Sequence, residues 1–325
     1  MQATLQTRLT PVAVVGAGAL GCLFGGMLAR AGTAVTLIGR ASHVEAIRRD
    51  GLVLESGGRT EAIPLAATED MSAVRGAGLV LFCVKSIDTD AAARAMAPYL
   101  ADQAVVLSLQ NGVDNNDRIR AQMANAAKGA NEVFPGLVYA AAQMAGPGHV
   151  RHTGGGGVVI GQLAAHRRPH GTDRALLDAI ASLFAGAGVA VRISDEVEVE
   201  LWTKLVMNCA YNAISALGDA QYGEMVALAE IRTLMGDAAR EAAAVATAKG
   251  VRLPHDIVAS ALKLADGMPT QISSTAQDIR RGRRTEIDHL NGYVVRTGEA
   301  LGIATPVNRA LDALVKLLER RAAPS

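Results

Sequence analysis

The chain has 325 residues, with 32 Lys and Arg against 31 Asp and Glu, for a formal net charge of +1. That balance excludes the global basic field by which proteins hold nucleic acid, and the length gives room for two domains. Half of the residues are hydrophobic but only 3% are aromatic. The core must therefore rest on Val, Leu, Ile, Ala and Met, which suits parallel strands and close-packed helices rather than a β-sandwich. Cys22, Cys83 and Cys209 stand in apolar contexts without a CxxC spacing, so neither a metal site nor a disulfide framework is expected. The first residues lack a signal-peptide pattern, and no apolar run reaches the roughly 18 residues of a membrane span. The expectation is a cytoplasmic protein with no membrane and no nucleic-acid partner.

Val12 to Val15 is a short apolar run of the kind that forms a buried parallel strand. It leads into GAGALG, where Gly16, Gly18 and Gly21 fit GxGxxG. Gly16 permits the tight turn, Gly18 lets the backbone approach a pyrophosphate, and Gly21 lets the next helix sit close to the sheet. A helix over 19–31 follows, with its free N–H groups aimed at phosphate, then a strand over 34–39. That order is the setting a dinucleotide turn requires. At the end of the second strand, where an NAD site usually places Asp or Glu, stand Gly39, Arg40, Ala41 and Ser42. An arginine there suits a 2′-phosphate, with no carboxylate to repel it, so NADP is the expected cofactor.

Strands over 78–84 and 104–109 lead into Lys85 and into Gln110, Asn111 and Gly112. Ligands of open α/β sheets gather beyond the carboxyl ends of strands. Lys85 is thus a candidate for the phosphates or the nicotinamide end, and Asn111 for the nicotinamide ribose or the substrate. Residues 136–142 read as a strand, followed by a hairpin around Gly146, Pro147 and Gly148. A second strand over 149–152 then meets Gly154 to Gly157, which read as a structural loop. His149 and His152 show no acidic orienter nearby and are not expected to be catalysts. Residues 166–172 read as a polar loop, 173–187 as a helix and 189–193 as a strand. The domain boundary is expected near Ser194 and Asp195.

After residue 195 the apolar period is mostly 3.6, and helices are expected at 196–216, 224–249, 255–266, 271–281, 286–301 and 307–321, with Pro254, Pro269 and Pro306 among the breaks. A nucleotide domain over 1–194 followed by a helical domain over 195–325 implies a cleft for a small substrate. On the first of these helices Lys204, Asn208 and Asn212 recur at four-residue intervals, one above the other on a single face. An ammonium and two amides on an apolar helix need partners. The segment 273–295 is also unusually polar. Thr285 is placed to cap a helix with Asp288 three residues on, and Glu286 would then fall in its first turn. Asp278, Asp288 and Asn291 read as structural. The run Arg280, Arg281, Arg283 and Arg284 reads as a solvated helix end.

Taken together, GAGALG at 16–21, CVKS at 83–86, QNG at 110–112, WTKLVMNCAYN at 202–212 and SSTAQDIRRGRRTEIDHLNG at 273–292 closely resemble the ketopantoate reductase family (2-dehydropantoate 2-reductase). The resemblance spans nearly the whole chain. It implies a Rossmann-type α/β domain that binds NADPH, followed by an all-α domain similar to that of 6-phosphogluconate dehydrogenase. The family's catalytic lysine falls on Lys204 and its essential glutamate on Glu286. Its substrate-binding residues fall on Asn111, Asn208, Asn212 and Ser274. Cofactor contacts are implied for Gly16, Ala17, Gly18, Ala19, Leu20, Gly21, Arg40, Lys85, Asn111 and Glu286. Where some members have an asparagine three residues before the serine, this chain has Gln271, which bears on the shape of the substrate pocket.

The implied reaction is NADPH-dependent reduction of ketopantoate to pantoate, a step of pantothenate and coenzyme A biosynthesis. Lys204 would stabilise the developing oxyanion and supply the proton, oriented by Glu286. Two alternatives stay open on the sequence alone: the same chemistry on a different small 2-keto acid, and an NADPH-sensing protein without turnover. No metal is implied, and the apolar C-terminal helices are expected either to bury one another or to meet a second subunit in a homodimer.

Overall fold

The computed structural model describes residues 7–167 and 172–322. Residues 168–171 of the expected polar loop lie outside the described residues. The chain separates into two compact units, Met1–Val197 and Glu198–Ser325.

The first unit is built on β1 (Val12–Val15), α1 (Ala19–Arg30), β2 (Val35–Ile38), α2 (Ala41–Asp50), the hairpin β3 (Leu52–Ser56) and β4 (Arg59–Ile63), and β5 (Ala66–Thr68). Next come β6 (Leu79–Phe82), α3 (Thr89–Met96), β7 (Val105–Ser108), α4 (Asn115–Asn125), β8 (Glu132–Gly146), β9 (His149–Gly161), α5 (Thr172–Gly186) and β10 (Val191–Ser194). The sheet runs β4-β3-β9-β8-β7-β6-β1-β2-β5, with β10 on β9. From β5 to β8 the pairs are parallel, and the chain leaves β1 on one side for β2 and returns on the other at β6. This reversal is the switch point at which doubly wound sheets bind nucleotides.

The apolar runs are continuous because both faces of these strands are covered. Val12 and Val14 of β1 join one buried cluster with Leu79, Leu81 and Leu107, while Ala13 and Val15 join another with Val80, Phe82 and Val106. Each fully buried Val or Leu contributes about 1.5–3 kcal/mol, so a polar residue in these runs would be costly on either face. Helix α1 lays Cys22, Phe24 and Leu28 into the first cluster.

The hairpin expected around Gly146, Pro147 and Gly148 is present, but its strands are longer than expected. β8 and β9 make one long antiparallel hairpin, and Gly154 to Gly157 lie within β9 rather than in a loop. Register shifts at Tyr139/Ala140 and Ala141/Ala142 accommodate them, with Gly155 and Gly156 at positive φ. A β-bulge absorbs the extra residue without breaking the strand. His149 also has the acidic neighbour that the sequence does not reveal: its Nε2 lies 3.5 Å from Glu55 of β3, and Arg151 bonds the same carboxylate. β3 pairs with β9 almost a hundred residues away, which no local pattern announces.

Among the described residues the second unit contains helices only. These are α6 (Val197–Gly218), α7 (Tyr222–Ala227), α8 (Ala229–Ala248), α9 (Ile257–Leu262), α10 (Leu264–Gly267), α11 (Ser274–Arg280), α12 (Asn291–Leu301) and α13 (Pro306–Ala322). The expected helix at 224–249 is two. A capping box between Gln221 and Glu224 starts α7, and Leu228 in extended backbone separates it from α8. Along α8, Met235, Ala238, Ala239, Ala242, Val245 and Ala246 are buried, a 3.6-period stripe of mostly small residues that permits close helix packing.

Candidate active site

The glycine turn follows β1 at the carboxyl edge of the sheet. Gly16 has φ +107° and lies so close to β6's end that a Cβ would stand 2.7 Å from the Cys83 carbonyl carbon and the Val84 nitrogen. A Cβ on Gly21 would meet the Gly16 oxygen at 2.1 Å. Gly18 has no protein atom within 4 Å of its Cβ position. Gly16 and Gly21 are thus required by the fold itself, whereas Gly18 faces open space. Helix α1 begins at Ala19 without a side-chain cap or an acidic residue in its first turn. Uncapped N–H groups and the positive end of the helix dipole are then available to an anion. Ala17 and Leu20 complete this turn. A dinucleotide pyrophosphate fits a cradle that a Cβ at Gly18 would fill.

Lys85 and Asn111 begin the turns after β6 and β7, and a buried polar network ties these turns together. The Ser86 hydroxyl donates to the Asn111 carbonyl at 2.9 Å, and the Asn115 amide donates to the same carbonyl at 2.6 Å. Thr89 donates to the other end of the Asn115 amide and accepts from Gln110, whose Nε2 also reaches the Val84 carbonyl. Ser86, Thr89, Gln110 and Asn115 are all buried. Their hydrogen bonds offset the cost of burying them and hold the backbone of Asn111 in place. Of these, sequence reading passes over the part of Asn115 entirely, since an asparagine opening a helix looks like an ordinary cap.

Arg40 stands at the N-terminal edge of α2, with its side chain 89% exposed. One expectation fails here. The carboxylate of Asp88 lies 4.0 Å from the Arg40 guanidinium, so an acid does stand beside the proposed 2′-phosphate position. Asp88 comes from the turn after β6, and its approach depends on sheet order. The pair is exposed and worth little by itself.

In the second unit, α6 carries Lys204, Asn208 and Asn212 along one face, as the spacing predicts. Burial lowers the Lys204 ammonium to about 8, and the Glu286 carboxylate opposes that shift. The two residues, 82 apart in sequence, are therefore electrostatic neighbours. Asn212 is buried and its amide donates to the Ser274 hydroxyl at 3.5 Å. Asn208 is half-buried. The cap of α11 is Ser273, which accepts from Ala276 N and donates to the Asn212 carbonyl. Ser274, one residue on, is left exposed in the first turn. Two adjacent serines gave the sequence no way to tell cap from contact.

Glu286 does not lie in the first turn of an α-helix. It precedes a 3₁₀ turn over Ile287–His289, and α12 starts only at Asn291. The expected capping box is absent: Thr285 accepts from Ile287 N, and Asp288 instead bonds Lys316 of α13. Gln271 donates to the Ile272 carbonyl at 2.7 Å, and its own carbonyl accepts from Tyr222 N, which fixes the strap leading to Ser273.

The cysteines add no nucleophile. Burial pushes the Cys22 thiol up to about 12 and raises those of Cys83 and Cys209 as well. Among the described residues no cluster of His, Cys, Asp and Glu has the make-up of a metal site, and no helix is long and apolar enough to cross a membrane.

The family model described as ketopantoate reductase PanE/ApbA matches residues 12–165, and that of its C-terminal domain matches 196–319. The chain belongs to the ketopantoate reductase family. A 2-dehydropantoate 2-reductase of Halobacterium salinarum is 37% identical over 311 residues, covering 95% of this chain and 99% of that one. A crystal structure of a PanE/ApbA family ketopantoate reductase from Ralstonia eutropha is 50% identical, with a TM-score of 0.87 over 96% of this chain and 99% of the other. The ternary structure of D-mandelate dehydrogenase with NADH and anilino(oxo)acetate is 26% identical, with a TM-score of 0.86 over 96% and 99%. The family's Rossmann-type unit followed by an all-α unit is the fold seen here, and the first unit is an NAD(P)-binding one. Family membership makes the protein an oxidoreductase of small 2-keto acids.

Proposed function

We propose that the protein reduces ketopantoate to pantoate with NADPH. The observation that carries this reading is the placing of Lys204 against Glu286, on the helix that also presents Asn208 and Asn212. The dinucleotide, when bound, supplies a hydride to the keto carbon. Negative charge then grows on the carbonyl oxygen, and the Lys204 ammonium meets it and gives up a proton from Nζ. Glu286 keeps that ammonium charged against the burial that disfavours it. Asn208 and Asn212 grip the substrate's carboxylate and hydroxyl, with Ser274 beside Asn212. In the first unit the Gly18 backbone and the α1 amides hold the pyrophosphate, Arg40 the 2′-phosphate, and Lys85 and Asn111 the nicotinamide end.

The likeness to D-mandelate dehydrogenase, together with Gln271 in the strap before Ser273, favours one second reading: another 2-keto acid as the preferred substrate. A panel of 2-keto acids, including ketopantoate and phenylglyoxylate, separates the two when assayed with NADPH and with NADH. Ketopantoate with NADPH is expected to give the highest kcat/KM. A higher value for another keto acid overturns the substrate, and equal use of NADH overturns the role of Arg40. Lys204→Ala is expected to lower kcat by roughly 10²–10⁴-fold while NADPH still binds. Unchanged turnover in that variant removes the proton-donor assignment.

A further inference from the structure

A buried chain of amides ties the helix bearing Lys204 to the segment bearing Glu286. Asn291, the first residue of α12, is completely buried, and its Nδ2 donates both to the Cys209 carbonyl of α6 at 3.1 Å and to Asn308 Oδ1 of α13 at 2.9 Å. Asn308 is equally buried and donates to the Ala238 carbonyl and to Glu241 on α8. Glu241 in turn accepts from the backbone N–H groups of Val307 and Asn308. One relay thus joins four helices.

The amide orientation of Asn291 follows from its partners. Cys209 O and Asn308 Oδ1 are both acceptors, so the nitrogen must face both. Its own Oδ1 is left buried with no hydrogen-bond partner. An unsatisfied buried acceptor is destabilising, and an apolar side chain of similar shape would avoid it. The cost is retained at a position with a particular geometry. Asn291 lies five residues after Glu286, and Cys209 lies five residues after Lys204. The bond between Asn291 and Cys209 therefore fixes the register of the segment bearing Glu286 against the helix bearing Lys204.

We propose that Asn291 is a positioning residue for the Lys204–Glu286 pair, setting their separation through its bond to the Cys209 carbonyl and braced from behind by Asn308 and Glu241. The inference rests on the assignment of Lys204 as proton donor. Asn291 itself touches no reacting atom. If it sets the separation, its loss draws Glu286 away from Lys204 and lowers the lysine's affinity for its proton, in the same direction as removing the carboxylate.

The test follows the Nζ titration of Lys204 by NMR in isotopically labelled full-length protein, beside kcat. Asn291→Leu keeps the branched shape at Cγ, in a larger volume, and removes the donor. Its Lys204 is expected to titrate below the wild-type value, toward that of Glu286→Gln. Its kcat is expected to fall about 10–100-fold, as for a reacting group displaced by about 1 Å, with the KM for NADPH unchanged. Ile257→Ala, a buried change on α9 outside the relay, is expected to lower the melting temperature without moving the titration. Glu241→Gln, a milder change at the far end, is expected to shift it in the same direction by less, and it decides the matter if Asn291→Leu does not fold. A wild-type titration in Asn291→Leu overturns the proposal, as does a wild-type titration in Glu241→Gln should Asn291→Leu not fold. An equal shift in Ile257→Ala also overturns it. A wild-type enzyme inert toward every 2-keto acid would sink the reductase reading and leave the NMR result to decide the positioning role.

Discussion

At the scale of single residues, Lys204 is where burial and charge meet. Burial lowers its ammonium to about 8 and Glu286 works against that shift. A proton donor must carry its proton, so kcat is expected to hold below pH 8 and to decline above it. Glu286→Gln removes the opposing charge, so the decline is expected at lower pH in that variant. A basic limb that does not move would separate the two residues functionally. The same shift bears on stability. The unfolded lysine has the ordinary value of 10.5, and burial in the folded chain lowers it to about 8. Between these values the unfolded chain binds more protons, so this group's contribution to stability rises with pH across that window and is least favourable below it. The glycines of the first turn give a second contrast. Gly21→Ala forces a Cβ against the Gly16 oxygen and is expected to lower the melting temperature sharply. Gly18→Ala meets no protein atom and is expected to leave the melting temperature unchanged while weakening NADPH binding. Calorimetry with and without NADPH checks both, and an equal loss of stability in the two variants would mean that Gly18 is structural. The tight turn at Gly16 and the close approach at Gly21 were legible in the sequence because GxGxxG names a backbone geometry. The acid beside Arg40 was not, because Asp88 reaches it only through the strand order.

At the scale of elements, local signals located helices and missed what holds them. The helix expected over 286–301 begins five residues late, because the segment from 285 to 291 answers to α13 rather than to its own caps. Thr285 N donates to Glu319, Asp288 pairs with Lys316, and Asn291 bonds Asn308. The α13 partners 308, 316 and 319 recur at helical spacing on one face. That stripe, read from sequence alone, mixes Asn, Lys and Glu and looks like a solvated surface. Its function as a clamp appears only when α12 and α13 are seen side by side. The row Lys204, Asn208 and Asn212 was legible for the opposite reason. Three polar groups on one face of a helix that also carries buried Leu205, Val206, Cys209 and Ala210 conflict with their surroundings, and such a conflict marks a site more clearly than a pattern that fits. The hairpin β3–β4 is local and turns at Gly57 and Gly58, whereas the pairing of β3 with β9 joins residues almost a hundred apart and leaves no periodic trace.

At the scale of the whole chain, both hydrophobic clusters of the first unit are made entirely from its own residues, and the glycine turn, Arg40, Lys85 and Asn111 all belong to it. The second unit buries its own apolar residues, among them Trp202, Tyr211, Met235 and Val294. A ligand stabilises what it binds by an amount set by its concentration over Kd, about 2.7 kcal/mol at a hundredfold excess. NADPH in such excess is therefore expected to slow hydrogen exchange of the most protected amides in β1, β6 and β7 by roughly a factor of 100, that energy being close to two factors of ten. The most protected amides of α8 are expected to change far less. Mass-spectrometric exchange with and without NADPH reads both regions in one sample. A uniform gain across β1 and α8 would mean that the chain opens as one cooperative body, and the two cores would then have to be treated as a single energetic unit despite their separate residues.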